Sequence, residues 1–341
     1  MNTAIQAGSA PAVPGAGESG ATSEFRALTS GCGIFDLSSR AKIRLTGSDR
    51  VRWLNGMVTN NIRDLTVNHG VYCFLLNAQG HIQADFYTYN MGDSLLVDTA
   101  AELREKVLAH FDKFIIMDDV EVADVGATLA AIGLGGPRAK AVLRAAGIKV
   151  PELAPLELCT PKCDCDCGCL SCTVVRGDEA IGEWYEIWLA PEQRKTAWDA
   201  LITAGATVVG AEAVEMFRIS RGIPRYGTDI RERDLPQETG QMRALSFTKG
   251  CYLGQEIVER IRSRGAVHRE FTAFEVEGSL PAPGVKIQVD EKEVGEITSS
   301  AELPLAAGSR QVALGYLRRE AVGKNLRAGT VTLKTVSLPI I

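Results

Sequence analysis

The chain has 341 residues, 45% of them hydrophobic and 23% charged, with a formal net charge of −5. That length predicts two or three domains rather than one core, and the composition is that of a soluble globular protein. The acidic balance leaves no electrostatic footprint for nucleic acid or an anionic membrane, and no apolar run approaches the roughly 18 residues needed to cross a bilayer.

The first segment, "MNTAIQAGSAPAVPGAGESGATSEF", has no basic residue before Arg26 and no apolar stretch. It reads as neither a secretory signal nor a mitochondrial presequence, so a cytoplasmic protein with reduced thiols is expected. Its small residues, Gly and Pro bury too little surface to offset the entropy of ordering, and residues 1–22 are expected as a disordered tail.

The next elements alternate between strand and helix. "AKIRLTG" (41–47), "VYCFLLN" (71–77) and "HIQADFYTY" (81–89) read as strands from their branched and aromatic content, with "NAQG" as a hairpin turn. "GSDRVRWLNGMVT" (47–59) reads as a helix with Ser48 as N-cap. "AELREKVLAHFDKFI" (101–115) places Leu103, Val107, Leu108 and Phe111 on one helical face. "PRAKAVLRAAG" (137–147) has proline at its start and glycine at its end, the usual helix punctuation. Then come a strand, "WYEIWLA" (184–190), and two helices, "PEQRKTAWDALITAG" (191–205) and "AEAVEMFRISRG" (211–222).

This mixture, without regular βαβ spacing, predicts α+β layers: antiparallel sheets covered by helices. From Phe271 onward, short alternating segments broken by Gly and Pro predict a small β-barrel or sandwich. The expected organisation is a first α+β domain at 23–135, a second at 136–268 and a C-terminal barrel at 269–341.

Several stretches bear on chemistry. "GLGGPRAK" (133–140) and "VGKN" (322–325) match no phosphate-binding pattern and read as turns. Asp85 lies in an aromatic strand, where a carboxylate is costly unless paired or used, although an exposed alternating position would also explain it. Glu186 stands among Trp184, Tyr185 and Trp188. A carboxylate walled by aromatics suits a flat heterocycle, whose rings stack while the acid accepts N–H bonds; strand alternation with Glu183 and Glu186 facing water is the alternative. Arginines concentrate in "FRISRGIPRYGTDIRER" (217–233) and "VERIRSRGAVHR" (258–269), either as a clamp for a carboxylate-bearing ligand or as a salt-bridged surface.

Nine cysteines are present, six of them in the insert at 159–172, "CTPKCDCDCGCLSC". Alternating C-x-C in a reducing compartment favours thiolate binding of Zn or another soft metal, with Cys163, Cys165, Cys167 and Cys169 as ligands. The spacing fits no paired zinc pattern or ferredoxin run, and a tolerated loop insertion is the alternative. Cys251, in "KGCYLGQE" (249–256), sits two residues from Lys249 and ahead of a helical segment carrying Arg260. Such a setting favours the reactive thiolate; a small buried hydrophobe is the plainer reading.

Through "KGCYLGQE" and the following "VERIRSRGAVHR", the chain resembles the YgfZ family of folate-binding proteins, which act in iron–sulfur protein maturation and are related to the glycine cleavage T-protein aminomethyltransferase. The resemblance spans residues 24–337, with support from "IFDLSSRAKIRLTGSDRVRWLNGMVTNNI", "LLNAQGHIQADF", "GEWYEIWL" and "FRISRGIPRYGTDI". It implies a T-protein-like fold: two α+β domains around a central channel for tetrahydrofolate or a derivative, plus a C-terminal β-barrel. By position it implies Asp85 near the folate N10 region and Glu186 as the pterin-holding acid. Tyr72, Asn77 and Arg218 would support the channel, with Tyr185, Lys249 and Arg260 as further ligand contacts. The family's R-x-E-x-G reads Arg218-Ile219-Ser220-Arg221-Gly222 here, with serine in place of the glutamate, and the insert at 159–172 lies outside the family pattern.

Three functions follow. The first is a folate-dependent accessory factor for iron–sulfur assembly or repair, with Cys251 as a redox or cluster contact and iron–sulfur proteins as partners. The second is one-carbon or aminomethyl transfer to tetrahydrofolate, with Asp85 as the acid–base group. The third is metal binding through the insert. Neither nucleic acid nor membrane is an expected partner.

Overall fold

The structure, a computed structural model, describes residues 20–161, 170–265 and 267–341. It contains two open sheets and a closed barrel. The first sheet is antiparallel and runs in the order Gly70–Leu76, Ile82–Asn90, Leu95–Thr99, Ala41–Thr46, Glu121–Asp124. Helices Arg50–Met57 and Arg104–Phe114 contribute Trp53, Leu54, Val107 and Phe111 to the core on one of its faces. The helix after "AKIRLTG" starts from Asp49, not Ser48, because the Ser48 hydroxyl and amide both bond the Asp119 carboxylate.

The second sheet runs Thr207–Val208, Gly33–Asp36, Ala130–Gly135, Trp184–Leu189, Cys172–Arg176, Leu158–Cys159. Its covered face packs Ile132, Leu134, Tyr185, Ile187 and Leu189 against helices Ala139–Ala145 and Arg194–Thr203. Two of its strands, Gly33–Asp36 and Ala130–Gly135, come from the segment expected to form the first domain. The second sheet thus combines strands from both sides of residue 135, whereas all five strands of the first lie within residues 41–124.

"GLGGPRAK" is likewise no simple turn, since its first three residues end a fully buried central strand. A Cβ on Gly133 would stand 1.8 Å from Phe35 Cε2, and one on Gly135 would stand 2.8 Å from Trp184 Cε3. Glycine is present because two aromatic rings lie across the backbone.

The expected tail at 1–22 ends in helix, since Gly20–Ser30 is helical and buries Phe25 and Leu28 beside helix Ala211–Ser220. Residues 1–19 lie outside the described residues. The barrel strands are, in order, Arg269–Glu277, Gly308–Arg318, Lys292–Leu305, Lys286–Val289, Leu326–Ala328 and Val331–Val336. Among the described residues no helix is long and apolar enough to cross a membrane.

The two sheets meet through Tyr89 and Trp188, whose rings stand edge-on at 5.1 Å, with Leu96, Ala131 and Val175 around them. Beside that contact the sheets and helix Ala211–Ser220 enclose a cavity.

Candidate functional site

Strand alternation supplies the cavity wall. In Ile82–Asn90, Ala84 and Phe86 enter the core, leaving Asp85, Tyr87 and Tyr89 to face the second sheet. In Trp184–Leu189 the same period brings Trp184 and Glu186 to the cavity and Trp188 to the sheet contact behind it. The enclosed volume is about 250 Å³, near the lower end of ordinary ligand pockets at roughly 300 Å³. That suits a bicyclic ring system with the rest of a ligand leading outward.

One wall carries an acid. Asp85 Oδ2 accepts a 2.7 Å hydrogen bond from the Tyr72 hydroxyl. Burial pushes Asp85 above the usual carboxylate range, against the pull of that hydrogen bond and of Arg40 and Arg243. Burial also raises Tyr72 and Tyr87, so both phenols stay protonated donors. Arg243 lies over the Tyr72 ring at 4.5 Å and is held by Gln241 and Asp178.

The opposite wall carries Glu186. Its Oε2 accepts a 2.8 Å bond from Trp188 Nε1 and lies 3.6 Å from Lys42 Nζ. Trp184 stacks on Phe217 with centroids 5.9 Å apart and planes at 10°, and both rings line the cavity beside the acid. Behind it, Asp98 is bound by Arg40 through Oδ1 at 2.8 Å and approached by Lys42 at Oδ2 at 2.9 Å. Burial opposes ionisation of Asp98, but Arg40 and Lys42 outweigh it and hold the carboxyl below its usual range.

The structure brings Tyr72, Asp85, Glu186 and Arg218 to this cavity and leaves the other expected contacts elsewhere. Arg218 lines the wall, yet its five N–H groups are occupied: by Glu215 twice, by Asp229, by the Ile223 carbonyl and by Ser299. It braces the wall and has no donor left for a ligand. Asn77 accepts the amides of Gln79 and His81 and builds the hairpin turn. Tyr185 faces the other side of its strand, under the Arg176 guanidinium. Ser220, at the position of the family glutamate, is buried and bonds the Phe217 carbonyl.

The surroundings of Cys251 also differ from expectation. Lys249 turns inward and donates to the carbonyls of Asn55, Val58 and Asn60 at 2.5, 2.6 and 2.8 Å, so its ammonium is not a partner for the thiol. The helix begins at Gln255, four residues further on, with Arg260 on its exposed face. Cys251 itself is exposed and outside the cavity lining.

The expected metal ligands Cys163, Cys165, Cys167 and Cys169 lie outside the described residues. Among the described residues no group of three metal-ligating side chains forms. The flanking Cys159 and Cys172 belong to paired strands, Leu158–Cys159 and Cys172–Arg176, so the insert joins two neighbours of one sheet.

Sequence reading passed over Arg40, Lys42, Asp98 and Arg243. The signal for the first two was present: Arg40, Lys42 and Arg44 alternate with apolar Ala41, Ile43 and Leu45 through the start of a strand. Their anionic partner becomes visible only with the register that sets Lys42 opposite Asp98.

Fold and site together define a two-sheet α+β protein with an acid-and-aromatic central cavity and a C-terminal barrel. Residues 15–249 match the GCVT N-terminal domain, and residues 269–339 match the CAF17 C-terminal beta-barrel domain. The chain thus belongs to the GCVT family, in the YgfZ/CAF17 branch that joins this domain to that barrel. It is similar to an aminomethyltransferase of Rubrobacter xylanophilus, 28% identical over 94% of this chain and 86% of the relative. An aminomethyltransferase of Thermus thermophilus is 26% identical over 88% and 83%. The crystal structure of glycine cleavage system aminomethyltransferase T from Bartonella henselae shares the fold, with a TM-score of 0.83 and 21% identity over 94% of this chain and 90% of that one.

Proposed function

We propose that the protein binds a reduced folate in the central cavity and serves iron–sulfur protein assembly or repair. The observation that carries folate binding is the pairing, in the cavity lining, of Glu186, whose Oε1 has no protein partner among the described residues, with the aromatic rings of Trp184 and Phe217. Such an acid accepts the N–H groups on the edge of a pterin while the aromatics take its face. Asp85 faces the same cavity from the other sheet, where a raised carboxyl and the Tyr72 hydroxyl can hold or move a proton at the ligand nitrogen. Tetrahydrofolate, when bound, supplies nitrogens able to carry a one-carbon unit.

The exposed Cys251 favours the accessory role over transfer chemistry, because it stands outside the cavity and open to a partner protein. Aminomethyl transfer is the second reading, supported by the names of the curated relatives and by Asp85. A role in the cytoplasm, with iron–sulfur proteins as clients, belongs to the first reading.

Isothermal titration with tetrahydrofolate and its 5-formyl and methylene forms tests the ligand. Binding should weaken by about 1.5–3 kcal/mol in Glu186→Ala, as for a lost charge-assisted hydrogen bond; an unchanged affinity removes Glu186 from the site. In cells lacking the protein, Cys251→Ser should keep folate binding yet fail to restore iron–sulfur enzyme activity. Full restoration would leave the transfer reading in its place.

A further inference from the structure

We propose that Lys42 is a positioning residue for Glu186: it fixes one carboxylate oxygen so that the other faces the cavity, making the site selective for a flat heterocycle that presents N–H donors. The proposal rests on Glu186 being the ligand-facing acid of the folate reading.

The argument begins with charge. Lys42 is 1% exposed and Asp98 is 0% exposed, and the two are direct cross-strand partners. Asp98 already neutralises Arg40, whose Nε bonds Oδ1 at 2.8 Å and whose Nη2 reaches the Asp98 carbonyl at 3.3 Å. Two cations therefore surround one buried anion, and an uncompensated buried charge is strongly destabilising. Glu186 brings a second carboxylate to Lys42, with Oε2 3.6 Å from Nζ.

Geometry then settles which oxygen is held. The approach of Nζ to Asp98 Oδ2 is close but off-axis, and Nζ makes no well-aligned hydrogen bond among the described residues. Its other contact is the face of the Trp188 ring, 4.5 Å from the centroid. The indole N–H of that same ring donates to Glu186 Oε2. Lys42 thus supports the plate that binds Oε2 and attracts that oxygen directly. Among the described residues Oε1 has no protein partner, and because Glu186 lines the cavity this oxygen is left as the acceptor for a ligand.

The free oxygen of a carboxylate held in this way acts as a hydrogen-bond acceptor. Its complement is a donor edge such as the 2-amino group of a pterin, and a ring with a methyl group there leaves the buried acceptor unpaired.

The test is titration of tetrahydrofolate and its 2-desamino-2-methyl analogue into wild type, Glu186→Gln, Lys42→Met and the double variant. Wild type should prefer the amino ligand by roughly 10–100-fold, the equivalent of one charge-assisted hydrogen bond. Lys42→Met should lose most of that preference while binding the analogue within about twofold of wild type. The double variant should discriminate no worse than Glu186→Gln. Retained analogue binding reports a folded cavity, and Lys42→Gln, uncharged but polar, replaces Lys42→Met if that variant does not fold.

An equal loss for both ligands would make Lys42 merely structural and overturn the proposal, as would an unchanged preference or additive effects in the double variant. If wild type binds neither ligand, the folate reading itself fails. If Glu186→Gln loses the preference while Lys42→Met keeps it, only the assignment of Lys42 falls.

Discussion

Replacing Lys249 by methionine isolates the contribution of its buried ammonium. The side chain is 8% exposed, and its three hydrogen bonds tie the "KGCYLGQE" segment to the carbonyls of Asn55, Val58 and Asn60 around the end of helix Arg50–Met57. Methionine is similar in length and apolar, so the packing term is small. What remains is three carbonyl oxygens without their donor, at about 1–3 kcal/mol each if no water reaches them. Partial hydration and relaxation lower the sum, and we expect a loss of about 3–5 kcal/mol, the range for breaking a buried charged network.

Urea unfolding followed by tryptophan fluorescence and circular dichroism measures it, provided the slope is unchanged. A loss below about 1 kcal/mol would refute the reasoning, since each bond would then be worth less than an ordinary net hydrogen bond. Burial pushes Lys249 down from 10.5 to about 8. Between those values the unfolded chain holds a proton that the folded chain lacks. Raising pH across this window should therefore add stability to wild type relative to Lys249→Met, while the relative contribution stays at its lowest below about pH 8.

Gly133→Ala would force Cβ against the Phe35 ring; we expect destabilisation of about 1–3 kcal/mol or more, and an unchanged urea midpoint would refute it. Asp85→Asn keeps an acceptor for the Tyr72 hydroxyl and removes a carboxylate whose folded value is raised by burial. Wild-type stability from this group is fully present below its unfolded value near 3.8 and is lost as pH rises through the folded value. The variant should consequently gain on wild type with rising pH, and paired urea titrations giving a pH-independent difference would count against a buried Asp85. Iodoacetamide followed by peptide mass mapping should label Cys251 well ahead of Cys32 and Cys73, which are buried and pushed up to about 12; equal labelling would contradict the exposed placement.

Much of the site follows from the sequence alone. A period of two along "GEWYEIWL" puts Trp184, Glu186 and Trp188 on one face, and the same period along "HIQADFYTY" aligns Asp85 with Tyr87 and Tyr89. These facts need only local backbone geometry, so they are legible without knowing any neighbour. The same rule sends Tyr185 to the opposite face, although proximity in sequence groups it with Glu186.

The tertiary structure alone decides what each charge is for. Lys249 is two residues from Cys251 in sequence but points to carbonyls nearly 200 residues away. Arg218 looks free in "FRISRG", yet Glu215, Asp229 and a barrel serine occupy it. Lys42 and Asp98 become partners through strand register, and Gly33–Asp36 joins Ala130–Gly135 across about a hundred residues of chain. A long flexible charged side chain is satisfied by whichever buried acceptor lies within a few ångströms. That neighbour is set by sheet order and packing rather than by spacing along the chain.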